Sequence, residues 1–233
     1  MSNIGGPVSG PVRVGLLALT AYGLAVFAST LTHQPDPSSN FTAYAEFVTT
    51  PSFLLSHLAG SIAGTTIGIL GLLALYGALP SAGRRRWTAV AALATSVSGL
   101  SLVMTLFGAA AYAQPAIGRA YLAGDQGAIQ INSDVYGVAA ISVGVLGSLL
   151  YSFGGILFGV VIWRSGRLPK WAGVAYALAV PLISLAGLIF GAAQTLGAVL
   201  LTAAAAAIAH AARRPTSTAI ADPVDRPERL TTH

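Results

Sequence analysis

His57 is the residue best placed for chemistry. It stands one helical turn before Gly60 at the entry to a long apolar run, and an imidazole there can bind a ligand, a metal or haem, or take up a proton. Two polar stretches, His33–Thr50 and Gln114–Asp134, supply the remaining candidates: His33, Asp36, Tyr44, Glu46, Arg119, Asp125 and Asp134. With His57 below them, these residues suggest an outward-facing pocket, and His57, Glu46, His33, Asp134 and Tyr44 are its expected ligand-binding set. Each has a plainer reading beside it. A lone histidine commonly makes an interhelical hydrogen bond, and Asn132, Ser133 or Asp134 suits the N-cap of the next helix. A divalent metal held by His33, Glu46 and His57 would need a ligand spacing that matches no established pattern. No metal and no cofactor is therefore predicted, with haem or a divalent metal at His57 kept as the alternative.

Several kinds of chemistry lack their residues. The chain has no cysteine, which removes thiolate ligands and thiol nucleophiles. It carries no Gly-rich phosphate loop, no Ser/His/Asp set and no zinc-protease helix motif. An acid or base buried at mid-membrane would mark a proton-driven pump, and the apolar runs hold none. The reading leans away from an enzyme. The net charge of +5 comes from short basic clusters between apolar runs, a membrane pattern rather than a nucleic-acid one.

The elements that must position these residues follow from hydropathy. Charged residues make up 8% of the chain and mean hydropathy is +0.73, whereas a soluble domain carries about 25% charged residues. Lipid must therefore cover much of the surface, and the expected fold is all-α: a polytopic transmembrane helical bundle. Six spans are expected, at about 13–31, 53–79, 87–112, 135–163, 171–189 and 195–212. The uncharged run from Trp171 to Ala212 is too long for one span, so a tight outer turn is placed over Phe190–Gly197. Gln114-Pro115 is expected to end the third span, and Pro181 to kink the fifth. Phe41, Tyr44, Ala45 and Val48 recur at helical spacing and predict a short interfacial helix. Residues 1–12 and 213–233 read as disordered arms. Residues Arg13 to Ala28 also loosely fit a cleavable signal peptide.

Orientation follows from the basic residues. Arg13, Arg84–Arg86, Arg164/Arg167/Lys170 and Arg213/Arg214 share one side of a six-span chain, which the positive-inside rule places in the cytoplasm. Both ends are then cytoplasmic, in a bacterial inner membrane. Arg84, Arg85, Arg86, Arg164, Arg167 and Lys170 are expected to touch lipid headgroups, and Trp87, Trp163 and Trp171 to form an interfacial belt. Gly60, Gly64 and Gly68, and again Gly155 and Gly159, repeat at four-residue spacing, so that another backbone can approach closely. The partner is either another helix of the same bundle or, across a seam, a second copy or another membrane protein.

Two stretches carry a resemblance: Pro51-Ser52-Phe53-Leu54-Leu55-Ser56-His57-Leu58 and Ser165-Gly166-Arg167-Leu168-Pro169-Lys170-Trp171-Ala172-Gly173. The layout resembles small six-span bacterial, actinobacterial-type integral membrane proteins of unknown function. The resemblance implies a fold and no reaction. The expected role is small-molecule or lipid binding, or a permease-like unit. The alternatives are a haem- or metal-binding redox subunit using His57 and an accessory subunit packing through the Gly60/Gly64/Gly68 face. Membrane lipids are the expected partners and nucleic acid is not.

Overall fold

The computed structural model describes residues 9–32, 34–79 and 83–213 and, of Arg84 and Leu188, the backbone alone. All its regular elements among the described residues are helical: α1 Gly10–Ser29, α2 Phe41–Val48, α3 Pro51–Leu55, α4 Gly64–Ala78, α5 Arg84–Leu122, α6 Gly127–Val135, α7 Val138–Arg164, α8 Lys170–Ser184 and α9 Gly191–Arg213. A π-helical segment, Ser56–Ala63, joins α3 to α4, and a 3-10 turn, Ala186–Leu188, follows α8. Among the described residues, five stretches are long and apolar enough to cross a membrane: α1, Pro51–Ala78, α5, Gly127–Arg164 and α9; α8 is a shorter apolar helix of 15 residues.

Local chemistry explains most of the boundaries. Pro11 in the first turn of α1 costs no hydrogen bond, so Gly10–Val12 belong to the helix and the expected arm is shorter than 1–12. Residues 1–8 and the tail from 214 lie outside the described residues. The Asn40 side chain caps α2 by accepting from the Ala43 N–H at 3.0 Å, and the Thr50 hydroxyl does the same for α3.

Three boundaries depart from the expected ones. Gln114-Pro115 does not end the third helix, because α5 runs through Pro115 to Leu122. A mid-helix proline costs roughly 3 kcal/mol, and burial offsets it here: Ile117 is buried, and Gly118 lies against the Ala45 carbonyl, Val48 and Thr49. Asn132, Ser133 and Asp134 do not cap the fourth span. They lie inside α6, while Gly137 precedes α7. The Asn132 side chain is drawn inward to Tyr44, and Asp134 accepts instead from Gln130 one turn earlier at 2.8 Å. The outer turn falls at 185–190 and not over Phe190–Gly197, since α9 already begins at Gly191. Gly197 needs a helical neighbour: a methyl group there would come 2.8 Å from the Ala179 carbonyl.

The long helices close into a ring. Each packs on the next, in the order α1, α4, α5, α7, α8, α9 and back to α1. Close approach at glycine marks nearly every seam. A methyl group on Gly68 would lie 2.8 Å from Tyr22, and one on Gly71 would lie 2.6 Å from the Leu19 nitrogen. One on Gly64 would meet Ala25 at 3.1 Å. The Gly60/Gly64/Gly68 face therefore meets α1 of the same chain. Gly155 and Gly159 likewise meet Val180 and Ala177 of α8. Without a hydrophobic drive between helices in lipid, such contacts are what van der Waals packing provides. The core fills the end of the ring near the basic residues, through Leu16, Leu72, Leu75, Phe158, Tyr176, Leu201 and Ile208. Large apolar side chains instead face outward along the ring, as at Leu70, Leu149, Phe153, Leu178 and Val199, a surface suited to hydrocarbon.

A second, smaller core caps the opposite end. Tyr44, Val48 and Phe53 are buried together with Phe41 and Phe47 around them. Phe41 stacks edge-on against Tyr121 of α5 at 4.8 Å, and the Tyr44 hydroxyl donates to Asn132 Oδ1 at 2.9 Å. Removing the hydroxyl in Tyr44→Phe leaves that buried acceptor unpaired, at a cost of about 1–3 kcal/mol. In a thermal melt the variant is expected to lose roughly 2–10 °C, while Tyr121→Phe, whose bond to Thr42 is exposed, stays near wild type. Equal melting of the two variants contradicts the Tyr44–Asn132 pairing.

Candidate ligand-binding cavity

The ring encloses a cavity of about 210 Å³ in the half away from the basic residues. All six ring positions contribute. The α1 helix brings Tyr22, Val26 and Ser29, and the π-helical segment brings Gly60 and Ser61 with Thr65 of α4 after it. Leu100, Val103, Leu106 and Phe107 come from α5, and Gly144, Ser148 and Tyr151 from α7. Ile183 and Ser184 of α8 and Gln194 of α9 complete the lining. The local reason is helical spacing: Tyr22/Val26/Ser29 and Gly144/Ser148/Tyr151 each recur at i, i+4, i+7, which puts each trio on one face.

Among the described residues the lining holds no Asp, Glu, Lys, Arg or His. Its polar groups are hydroxyls and one amide, and some are committed. The Ser29 hydroxyl donates to the Val26 carbonyl at 2.7 Å. The Ser184 hydroxyl donates to the Val180 carbonyl at 2.7 Å, so Ser152 is the donor in the Ser152–Ser184 pair. Tyr151 differs. It is 2% exposed, and its hydroxyl has no protein partner of good geometry even with the Tyr22 hydroxyl nearby. Tyr176, beneath them, also has an unpartnered buried hydroxyl. An unpaired buried hydroxyl costs about 1–3 kcal/mol, so the floor of the cavity favours any molecule that brings a hydrogen-bonding group to it.

The residues expected from sequence lie elsewhere. His57 sits half-buried on the π-helical segment, stacked on Phe53 with ring centroids 4.1 Å apart. Its Nδ1 is 3.0 Å from the Phe53 carbonyl. A carbonyl only accepts, so Nδ1 carries the proton and the ring is held against its own helix. Tyr44 is buried in the cap, Glu46 is exposed on α2, and Asp134 pairs with Gln130. His33 lies outside the described residues. None of Tyr44, Glu46, His57 or Asp134 lines the cavity, and no group of three potential metal ligands occurs among the described residues.

The loop carboxylates away from the basic clusters do local structural work. Asp36 accepts from the Ser38 N–H at 2.9 Å and from its hydroxyl, which holds its carboxyl below the usual range. Asp125 accepts from the Gly127 N–H at 2.9 Å. Burial pushes the Tyr44 phenol up, so it stays a neutral donor to Asn132. At the basic end, Arg85, Thr88, Val160, Val161 and Arg164 line a second cavity of about 210 Å³, and exposed Trp87, Trp163 and Trp171 flank the basic clusters.

The sequence reading missed Tyr22, Ser29, Ser61, Thr65, Ser148 and Ser184. The available signal was the pair of i, i+4, i+7 trios, visible only once α1 and α7 are known to face one another across a ring. Comparison of the chain with protein-family models, with curated proteins and with solved structures gives no match.

Proposed function

We propose that the chain is a six-span bacterial inner-membrane protein, both ends cytoplasmic, that binds an uncharged small molecule in the cavity and acts as a binding or permease-like unit. The observation that carries this reading is the cavity's lining: hydroxyls from several helices, an unpartnered Tyr151 hydroxyl, and, among the described residues, no Asp, Glu, Lys, Arg or His. A charged ligand would lose its hydration there without a counter-charge, so the ligand is neutral.

The sixth crossing is α8, and it rests on α8 packing along α9, a helix long enough to cross. At about 1.5 Å per residue, α9 reaches about 34 Å, more than the roughly 30 Å hydrocarbon core. Its neighbour α8, 15 residues long, runs alongside it, and the 3-10 turn that follows carries the contact on to Gly187, which stands against Gln194. Orientation rests on the basic clusters, and the Arg85/Arg164 cavity suits an anionic lipid headgroup.

Two rivals have less support. A redox subunit would ligate through the His57 Nε2 that the Nδ1–Phe53 bond leaves free, but no group of three potential metal ligands accompanies it among the described residues. An accessory subunit using the Gly60/Gly64/Gly68 face needs that face open, and α1 covers Gly64 and Gly68.

Native mass spectrometry of the purified protein tests the proposal. Wild type is expected to release a stoichiometric uncharged molecule on unfolding, and Ser61→Leu, which fills the cavity from a half-buried position, to release none. Wild type carrying nothing, or the variant carrying as much as wild type, ends the proposal. A Soret band in the same sample would favour the His57 rival.

A further inference from the structure

The central cavity is small for a lipid. An engineered cavity of about 150 Å³ takes one benzene ring, so about 210 Å³ holds a head of ring size and little more. A second space adjoins it. A groove of about 390 Å³ lies between α1 and the π-helical segment, lined by Ala25, Ala28, Ser29, Leu55, Ala59 and Gly60 among others. Ser29 and Gly60 line both spaces. Ala28, Leu55 and Ala59 are exposed on the outer surface of the ring, where hydrocarbon would lie.

The seam is loose at this level. A methyl group on Gly60 would meet only Ser29 Cβ, at 4.0 Å, whereas one on Gly64, a turn further along, would press on Ala25 at 3.1 Å. The wider spacing coincides with the π-helical stretch, a distortion frequent at functional sites. The unpartnered Tyr151 hydroxyl points independently to a ligand: it is buried at the inner end of the connected space.

Resting on the cavity as a neutral-ligand site, we propose that the groove is a lateral portal holding the apolar chain of an uncharged, single-tailed amphiphile. Its ring-sized head sits at Tyr22 and Tyr151. Its tail passes between Ser29 and Gly60 and lies along Ala28 and Ala59 in the outer leaflet. No ion crosses the lining, and the head exchanges its membrane hydration for the tyrosine hydroxyls.

The test uses the full chain in nanodiscs of zwitterionic lipid, with binding to empty discs subtracted. Three radiolabelled probes are compared: phenol, 4-octylphenol and octane-1-sulfonate. 4-Octylphenol is expected to bind at one site and to displace phenol, and octane-1-sulfonate to bind neither site. Tyr151→Phe weakens both phenols by about fivefold, the usual worth of one hydrogen bond. Ala59→Leu, at an exposed position that lines the groove and not the cavity, weakens 4-octylphenol about tenfold and leaves phenol within about twofold. Ala28→Leu, another exposed position lining the groove alone, gives the same split if Ala59→Leu lowers the yield of folded protein. If 4-octylphenol binding ignores both substitutions while phenol still binds, the portal is wrong and the cavity reading stands. If neither phenol binds, the cavity reading itself fails. Equal binding of octane-1-sulfonate overturns the uncharged head.

Discussion

Gly99→Leu is expected to destroy the bundle, while Gly108→Leu, nine residues further along the same helix, leaves it intact. A methyl group on Gly99 would fall onto the Tyr151 amide nitrogen and within 2.6 Å of the Gly147 carbonyl. The obstacle is backbone on α7, which no rotamer change can move aside. Gly147 faces back at Gly99, 3.0 Å from its carbonyl by the same measure, so the two helices touch through glycine on both sides. Overpacking in a core typically costs about 1–3 kcal/mol, and a leucine against two backbones is expected to cost more than about 3. The chain has no hydrophobic drive in lipid to compensate. Around Gly108 nothing lies within 4 Å. Detergent gel filtration after stepwise heating reads the outcome. Gly99→Leu should lose its monodisperse peak at least about 10 °C below wild type, and Gly108→Leu should track wild type. A Gly99→Leu protein that melts with wild type means that α5 and α7 do not cross in this register, and the cavity built on that register goes with it.

The helices were legible because lipid makes a long uncharged run costly to leave in water. Basic residues mark the run ends, and Phe41, Tyr44 and Val48 reported α2 by spacing alone. The misreadings share a cause. Local chemistry makes Pro115 a helix stop and Asn132 a helix cap, and each is overruled by a contact distant in sequence. Gly118 needs Ala45 and Val48 beside it, and Asn132 needs the Tyr44 hydroxyl 88 positions away. Local propensity has no access to such partners.

The cavity was not legible for a related reason. Ionisable residues in the loops stand out in a sequence, since those carry chemistry on their own. Ser61, Thr65, Ser148 and Tyr151 carry it only as a set, and their separate positions look like ordinary helix packing. Only the glycine seams, Gly68 on Tyr22 and Gly99 on Tyr151, fix the rotation that turns their hydroxyls toward one space.

Cysteine labelling is expected to give an all-or-none answer on topology. The chain has no cysteine of its own, so single introduced thiols can be read on a silent background. Ser38→Cys and Gln126→Cys, both exposed and in the outer turns, should react in intact spheroplasts with a maleimide that cannot cross the membrane. Ser165→Cys, between α7 and α8, and a thiol at Thr216, beyond the described residues, should react only after permeabilisation. The decisive site is Thr216. If α8 stays on the cytoplasmic side and only five helices cross, α9 carries Thr216 outward and its thiol labels in intact spheroplasts. Six crossings return it to the side of Arg164 and Lys170. The physical grounds for six are the reach of α9 and the packing of α8 between its two neighbours, Gly173 against the Gly159 carbonyl of α7 at one end and Gly197 of α9 against the Ala179 carbonyl towards the other. A re-entrant α8 would break those contacts or drag the basic loop into hydrocarbon, at roughly 2.5–3.5 kcal/mol for each arginine or lysine at the bilayer centre. Outside labelling at Thr216 with Ser165 protected overturns the six-span arrangement, and with it the placing of the cavity in the outer leaflet half.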